Sequence, residues 1–303
     1  MGNVRLVEPT ANRCGEAATW CAAENALYWC DIGRFLVHRY DEPSASVRSW
    51  EFPEAVVALA PTTRSGVMLV TLGSRLVLWR PKDHSIEPLP ITLPGYPRVR
   101  FNDGRADPQG RFWVGSMENN ILENGDLDFE VEANWTTPGL GTLFRIEASG
   151  ASTAMRTEIG ISNTVCWSPG GGTFYFGDTS ANEIRAYDFD GSTGAISNGR
   201  VFFAGFERGR PDGSIVDCEG YLWNCRFGGS CVVRLAPDGR IDRIVEMPCT
   251  DVTTCTFGGA DLKTLYITTA MMRLHKGERL AGALFALDND VAGLPERSFR
   301  LAN

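Results

Sequence analysis

One short segment type recurs six times along the 303-residue chain and limits the folds that the chain can adopt. Each copy is an aromatic or β-branched run with turn residues before it, which is typical of a β-strand. The copies are LYWCD from 27, MLVTL from 68, FWVGS from 112, FYFGD from 174, LWNCR from 222 and LYITT from 265. Recurrence at roughly 45-residue intervals predicts a repeated β-architecture.

Further strand candidates surround each copy. A second run follows every time, as in RLVLWR from 75 and CVVRLA from 231, and a third precedes it, as in VVALAP from 56. A fourth run comes last, as in RVFFAGF from 200, and helical periodicity is almost absent. Four strands in six copies predict an all-β fold, a six-bladed β-propeller of antiparallel blades around a central channel, in one domain over residues 1–303. Either the N-terminal VRLVEP or the C-terminal RSFRL would complete the last blade and close the ring.

Two connections are longer than the repeat requires. Residues 117–140, which include Trp135, separate the second and third strands of blade three, and residues 270–281 lie at the same phase of blade six. In an antiparallel blade this connection returns to the end where the innermost strand began. We therefore expect both loops at the same mouth of the channel.

Four oxygen-bearing side chains share one phase of the repeat. In blades one, three, four and five, the aromatic strands carry Tyr28, Trp113, Tyr175 and Trp223. The polar residues that precede them by 12, 11, 12 and 11 residues are Glu16, Asn102, Asn163 and Asp212. Because the innermost strands of a propeller line its axis, these side chains are expected to converge at one channel mouth. Carboxylates and carboxamides without His or Cys suit Ca²⁺, Mg²⁺ or Mn²⁺.

A structural role for these residues is the competing interpretation. Asn-Asp-Gly and Pro-Asp-Gly are common turn tripeptides, and Pro237-Asp238-Gly239, at a different phase, is predicted to be a hairpin turn only. Four polar residues at one phase favour a site, since buried unpaired carboxylates are costly without a cation.

Composition and the remaining motifs exclude several classes. A net charge of −8 and a pI near 5.1 argue against nucleic-acid and membrane partners. The start of the chain lacks a signal sequence, and nine cysteines without a Cys-x-x-Cys pair fit a reducing cytoplasm. His38, His84 and His275 are scattered and no Gly-x-Ser-x-Gly motif occurs, so a serine-hydrolase triad is not expected.

Several motifs, in order along the chain, carry a family resemblance. They are Gly15-Glu16, RFNDGRADPQGRFWVGSM from 100, Ile161-Ser-Asn163 with Trp167-Ser-Pro169, Pro211-Asp-Gly213 with Glu219-Gly-Tyr-Leu-Trp223, and Phe257-Gly-Gly259. Over essentially its whole length the chain resembles the gluconolactonase, regucalcin (senescence marker protein) and luciferin-regenerating-enzyme family. The resemblance implies a six-bladed propeller and the hydrolysis of sugar lactones.

The resemblance also implies a site. One divalent cation would be held by Glu16, Asn163 and Asp212, and Arg100 and Asn102 would contact the substrate. The acidic residue that the family carries in the mouth loop is represented here by Glu118, Asn119 and Asn120, of which Glu118 and Asn120 are the candidate substrate contacts.

The chain departs from the family pattern beside two ligands. It has Glu16-Ala-Ala18 where the family usually has Glu-Gly-Pro, and Asn163-Thr164 where the family has Asn-Gly. The ligand atoms themselves are retained.

These features lead to a hypothesis with two alternatives. The chain would be an aldonolactone hydrolase in which Ca²⁺, with Mg²⁺, Mn²⁺, Zn²⁺ or Fe²⁺ as alternatives, polarises the carbonyl and activates water, and Asp212 acts as general base. Loop 117–140 would cover the sugar, and the protein would be a monomer or weak homo-oligomer. A metal-dependent esterase or phosphotriesterase and a non-catalytic calcium-binding propeller are the two alternatives.

Overall fold

Strands account for nearly all of the regular structure. A computed structural model describes residues 3–126, 128, 139–271 and 277–302. Within these ranges the chain forms 24 β-strands, and its helical residues are confined to two 3₁₀ turns, Ala22–Glu24 and Ile32–Arg34. In this part of the chain no helix has the length and apolar character needed to cross a bilayer.

The strands form six four-stranded antiparallel sheets, each a blade. The N-terminal strand is β1, Arg5–Glu8. Blade one consists of β2 Gly15–Cys21, β3 Ala26–Asp31, β4 Leu36–Asp41 and β5 Ser46–Glu51. Blade two consists of β6 Val56–Pro61, β7 Met68–Leu72, β8 Arg75–Arg80 and β9 Ser85–Thr92. Blade three consists of β10 Val99–Ala106, β11 Phe112–Glu118, β12 Gly141–Ile146 and β13 Ser152–Ile159.

The second half of the chain repeats this arrangement. Blade four consists of β14 Ser162–Trp167, β15 Thr173–Asp178, β16 Glu183–Asp190 and β17 Ala195–Ala204. Blade five consists of β18 Arg210–Val216, β19 Leu222–Phe227, β20 Cys231–Leu235 and β21 Ile241–Glu246. Blade six consists of β22 Val252–Gly258, β23 Thr264–Thr269, β24 Leu284–Asp288 and the N-terminal β1. The predicted six-bladed propeller is confirmed.

The blades close into a ring. Each innermost strand contacts the innermost strands of both neighbouring blades, including β2 with β22. The N-terminal strand closes blade six, with Leu6 opposite Phe285 in antiparallel register. Of the two closing segments considered, VRLVEP is therefore correct and RSFRL is wrong. Phe299 in the latter makes only an isolated parallel bridge to Thr62, because the place beside β24 is already taken.

The C-terminal segment instead crosses the end of the channel opposite the mouth. Gly293 forms a bridge with Asp217 just beyond the end of β18, and the Arg300 N–H donates to Gly110 O in the turn after β10. On the way, the Glu296 carboxylate lies 3.5 Å from the Arg105 guanidinium. The channel is thus bounded by C-terminal residues at one end, and the other end is the mouth.

Every innermost strand carries a bulge at the same place. In β2, β6, β10, β14, β18 and β22 the register with the second strand shifts by one residue, after Glu16, Val56, Phe101, Asn163, Pro211 and Val252 respectively. A β-bulge leaves a residue out of the ladder and redirects the side chains around it. Six bulges at one height therefore place a ring of redirected residues around the channel mouth.

Candidate active site at the channel mouth

The bulges decide how the four predicted mouth residues are presented. Glu16 and Asn163 are the last paired residues before their bulges, opposite Cys30 and Gly177. Asn102 and Asp212 come one residue later, as the first residues inside theirs. This one-residue difference explains why the four residues lie alternately 12 and 11 positions before Tyr28, Trp113, Tyr175 and Trp223.

Two acids, one buried and one half-buried, lie near each other at this mouth. Asp212 is only 6% exposed, Glu16 is half-buried, and the two carboxyls are close enough to interact electrostatically. Burial, together with the charge of Asp103, raises the pKa of Glu16 to about 8. Burial and the charge of Glu16 raise the pKa of Asp212 well above its usual value. A pair of this kind gains from a positive charge placed beside it.

The Asn163 side chain is oriented by its neighbours. Its Nδ2 donates to Thr179 Oγ1 at 2.9 Å, and that hydroxyl donates onward to Pro211 O at 2.7 Å. Because the hydroxyl proton is already used, Thr179 must accept from the amide nitrogen. The Asn163 Oδ1 atom is therefore turned the other way, where Asn102 Nδ2 lies 3.4 Å from it.

Arg100 and Asn102 form one connected unit beside the acids. Arg100 is 6% exposed; its NH1 donates to Asn102 Oδ1 at 2.6 Å, and its Nε and NH2 donate to Asn120 Oδ1. Asn102 Nδ2 donates to Ser162 O at 2.8 Å. Burial lowers the pKa of Arg100 to about 10, so the guanidinium stays charged at neutral pH. The mouth thus holds a fixed cation next to two acids.

The predicted loop residues have different surroundings. Glu118 ends β11 opposite Val99 and is half-buried. Asn120 is 1% exposed and lies behind Arg100. Trp135 and His275 lie outside the described residues.

The residues that follow two of the predicted ligands have left-handed backbone conformations. Ala17 has a φ of 58° and Thr164 a φ of 55°. These are the positions where the family pattern has glycine, the residue that adopts such φ values without steric cost. At Thr164 the side chain is also engaged, because Oγ1 donates to Asp212 O at 2.6 Å.

Sequence reasoning missed a third acid at the mouth. Asp103 follows Asn102 in β10, its Oδ2 accepts the Val165 N–H at 3.3 Å, and its charge raises the pKa of both Glu16 and Asp212. Successive side chains of a regular strand point to opposite faces, so the sequence predicts that Asp103 points away from the site when Asn102 points into it. Only the bulge brings both toward the site.

The donor chemistry of this mouth fits a divalent cation. The two carboxylates and the oriented amide oxygen are hard donors of the kind that Ca²⁺ and Mg²⁺ prefer. Burial and neighbouring acids raise the pKa of both carboxyls, and a cation beside them would favour their ionised forms. Within the described residues no group of three or more His, Cys, Asp or Glu side chains is placed to hold a metal ion.

Comparison with known proteins decides the family. The sequence profile described as the SMP-30/gluconolactonase/LRE-like region matches residues 14–271. The chain belongs to this family. That range contains all six aromatic repeats and each of the predicted site residues.

Members of the SMP-30/gluconolactonase/LRE-like family align over nearly their full length. A 6-deoxy-6-sulfogluconolactonase of Pseudomonas putida is 33% identical over 291 residues, 94% of either chain. A pentonolactonase of Haloferax volcanii is 33% identical over 303 residues, 97% of either chain. The crystal structure of a calcium-binding protein, regucalcin, from Agrobacterium tumefaciens superposes with a TM-score of 0.88 at 28% identity, covering 99% of this chain and 98% of that one. The two relatives compared by sequence are sugar lactonases.

Proposed function

We propose that the protein hydrolyses sugar lactones to the free aldonic acids, with one divalent cation held by Glu16, Asn163 and Asp212. The observation that supports this most is the pair of acids whose pKa is raised by burial and by nearby acidic charge, together with the Asn163 amide that Thr179 orients in the same ring of bulges. The lactonase names of two relatives support the reaction class.

Calcium is the cation that we propose first. Carboxylate and amide oxygens suit it, and the regucalcin from Agrobacterium tumefaciens is named a calcium-binding protein. Mg²⁺, Mn²⁺, Zn²⁺ and Fe²⁺ are the alternatives. When bound, such a cation supplies Lewis-acid polarisation of an ester carbonyl and makes a nearby water more acidic.

Asp212 is the proposed general base. With positive charge beside the acid pair, both carboxyls ionise at neutral pH, so Asp212 can accept a proton. A water oxygen forms a bond to the lactone carbonyl carbon while its proton passes to Asp212. The ring C–O bond then breaks, and the departing alkoxide takes that proton from Asp212, which gives the hydroxyl of the open-chain acid and restores the carboxylate. No covalent intermediate with the protein is needed.

Arg100 and Asn102 are the proposed substrate-orienting groups. The Arg100 guanidinium is fixed by Asn120 and Asn102 before any ligand arrives, so little order is lost when it contacts a lactone. We propose that Asn120 acts on the substrate through Arg100, which it holds with two hydrogen bonds. Glu118, at the end of β11, is the proposed contact for a ring hydroxyl.

A substrate panel tests the reaction class. Initial rates would be measured with Ca²⁺ present on pentono- and hexonolactones, on aryl esters and on phosphotriesters. We expect the lactones to be preferred by at least tenfold in kcat/KM. Preference for the esters or phosphotriesters would select the related hydrolase, and calcium binding without any turnover would select the non-catalytic propeller.

Asn102→Ala separates orientation from cation binding. Losing the amide removes hydrogen bonds worth about 1–3 kcal/mol in a buried site, so kcat/KM should fall by about 10- to 100-fold, mainly through KM. Calcium affinity, measured by calorimetry, should change by less than threefold. A loss of calcium binding would show that Asn102 belongs to the cation site instead.

We further propose that the protein works in a reducing compartment such as the cytoplasm. All nine cysteines lie in the described residues and each is a free thiol. Oxidising compartments favour disulfides, and the chain forms none.

A further inference from the structure

A cavity opens beside Arg100, away from the acid pair. Its volume is about 570 Å³, within the range of about 300–1,000 Å³ that is common for small-molecule sites. It lies at the mouth end, between blades one, two and three. Its walls come from the loops before β6 and β10, the turn after β7, and the first residues of the mouth loop. We call it the side pocket; its lining includes Glu54, Gly73, Tyr96, Arg100, Leu122 and Glu123.

The side pocket is continuous with the candidate active site through one side chain. Arg100 lines the pocket, and the NH1 of the same guanidinium donates to Asn102 Oδ1 at the channel mouth. A substrate that contacts Arg100 at the mouth therefore has the pocket directly beside it. The volume exceeds what a single ring of five or six atoms fills.

The walls of the pocket combine apolar surface with acids. Tyr96 is 46% and Leu122 is 47% exposed, so both present apolar surface to a ligand in the pocket. Glu54 is paired with Arg75 at 2.8 Å, whereas Glu123 is exposed at the rim.

Positive charge is scarce in this pocket. Among its described lining residues Arg100 is the one cation. Its Nε, NH1 and NH2 already donate to protein oxygens, those of Asn120, Phe101 and Asn102. An anionic group entering the pocket would meet Glu123 and the one N–H of Arg100 that these bonds leave free, so the walls favour a neutral ligand.

We propose that the side pocket is a subsite for a neutral substituent carried by the lactone on the side remote from the ester, such as a glycosyl or aryl group. This inference rests on the proposed lactonase function and adds the substrate class to it. The exposed faces of Tyr96 and Leu122 pack against the substituent, and its hydroxyls or ether oxygens contact the polar rim.

Gly73 allows the pocket to be filled from its floor. A Cβ added there would lie 3.9 Å from Arg100 Cβ, 3.9 Å from Glu54 Oε2 and 4.0 Å from Tyr96 Cε2, all ordinary contact distances. The backbone of Gly73 is not in the left-handed region, so a side chain costs no φ strain. Gly73→Leu should therefore occupy the pocket in a folded protein.

The test compares two substrates in each variant. The calcium-loaded protein would be assayed on an unsubstituted aldonolactone and on the same lactone carrying a glycosyl group. Wild type should prefer the glycosylated lactone in kcat/KM, and Gly73→Leu should lower that preference by at least tenfold. Gly170→Leu, at a surface glycine with nothing within 4 Å, should leave the preference unchanged.

The outcomes separate this inference from the function beneath it. If neither lactone is hydrolysed by wild type, the proposed function fails. If both are hydrolysed and Gly73→Leu leaves the preference intact, or wild type shows none, only the subsite is wrong.

Charge provides a second arm of the same test. A lactone with a sulfonate in place of the glycosyl group should react at least tenfold more slowly than the neutral one, and Glu123→Lys should reduce this difference. A wild-type preference for the sulfonated lactone would overturn the neutral-substituent assignment.

Discussion

Thr164 has a backbone conformation that β-branched residues rarely adopt. Its φ of 55° costs about 1–2 kcal/mol relative to the right-handed region, and glycine would avoid that cost. In return the Oγ1 donates to Asp212 O at 2.6 Å and lies 2.9 Å from Ser214 Oγ. Asn224 Nδ2 donates to the same carbonyl at 3.2 Å. We infer that Thr164 positions Asp212 within its bulge.

Substitution at Thr164 tests this positioning role. Thr164→Val removes the hydroxyl and keeps the branched shape, so kcat should fall about tenfold, the equivalent of one hydrogen bond of about 1.4 kcal/mol. Thr164→Ser should restore most of the rate. Lactone hydrolysis with Ca²⁺ saturating measures both.

Ala17 provides the matched control, since its φ of 58° is similar and its side chain carries no hydroxyl. Ala17→Gly should relieve strain and raise the free energy of unfolding by up to about 1 kcal/mol without lowering kcat. Equal activity of wild type and Thr164→Val would contradict the positioning role.

His38 predicts a pH dependence of stability. Its Nδ1 lies 2.7 Å from Ser49 Oγ, its ring packs on Trp29 at 4.9 Å, and its buried Nε2 has no partner among the described residues. Burial, with a smaller effect of the Arg34 charge, lowers its pKa to about 4. Between about pH 6.5 and pH 4 the imidazole is therefore mostly neutral in the folded state and mostly protonated in the unfolded state.

This contribution to stability is fully present above pH 6.5 and is lost as the pH falls toward 4, to a total of about 3 kcal/mol. Urea denaturation of wild type and His38→Gln at pH 7 and pH 4.5 measures it. Wild type should lose about 2–3 kcal/mol more than the variant over this interval, and parallel pH profiles would rule the effect out.

At the scale of elements, the turn between β10 and β11 depends on one buried carboxylate. Asp107 Oδ2 accepts from Arg111 Nε at 2.6 Å and from Trp113 Nε1 at 3.1 Å, and Oδ1 accepts the backbone N–H of Gln109 and of Arg111. Blade five repeats the arrangement, with Asp217 accepting from Trp223 and Arg234. The carboxylate locks the turn onto the aromatic strand.

Removing this carboxylate should destabilise the blade strongly. Asp107→Ala leaves a buried guanidinium and an indole N–H without their acceptor, so the free energy of unfolding should fall by about 3–5 kcal/mol in urea denaturation. Asp238→Ala, in the exposed Pro-Asp-Gly hairpin, should change it little. Comparable losses in the two variants would argue against the locking role.

The strands were predictable and the bulges were not. Aromatic runs such as FWVGS and turn tripeptides such as Pro-Asp-Gly are local signals, so the blades and the turn at Asp238 followed from the sequence. Bulge positions depend on register between strands, which no single segment encodes. Asp103 was missed for that reason. The hydrogen bond from Thr164 to Asp212 could not be predicted either, because it joins two different blades.

At the scale of the whole molecule, the ring couples distant parts of the chain. The strand β1 completes blade six beside β24, and the C-terminal residues cross the far end of the channel. The last blade has only three strands from the C-terminal part of the chain, so its outer edge would stay unpaired unless a terminal segment completed it. Which terminus completes blade six depends on how the C-terminal segment packs at the channel end opposite the mouth, and the sequence pattern does not specify that packing.

The central claim is that the acid pair and Asn163 form a cation site on which lactone hydrolysis depends. Its most direct test is the initial rate of sugar-lactone opening by chelator-treated protein before and after Ca²⁺ is restored, for wild type and Asp212→Ala. We predict that chelation lowers the wild-type rate at least 100-fold, that Ca²⁺ restores it, and that folded Asp212→Ala stays inactive with Ca²⁺. Full activity of chelated wild type, or of Asp212→Ala, would contradict the account.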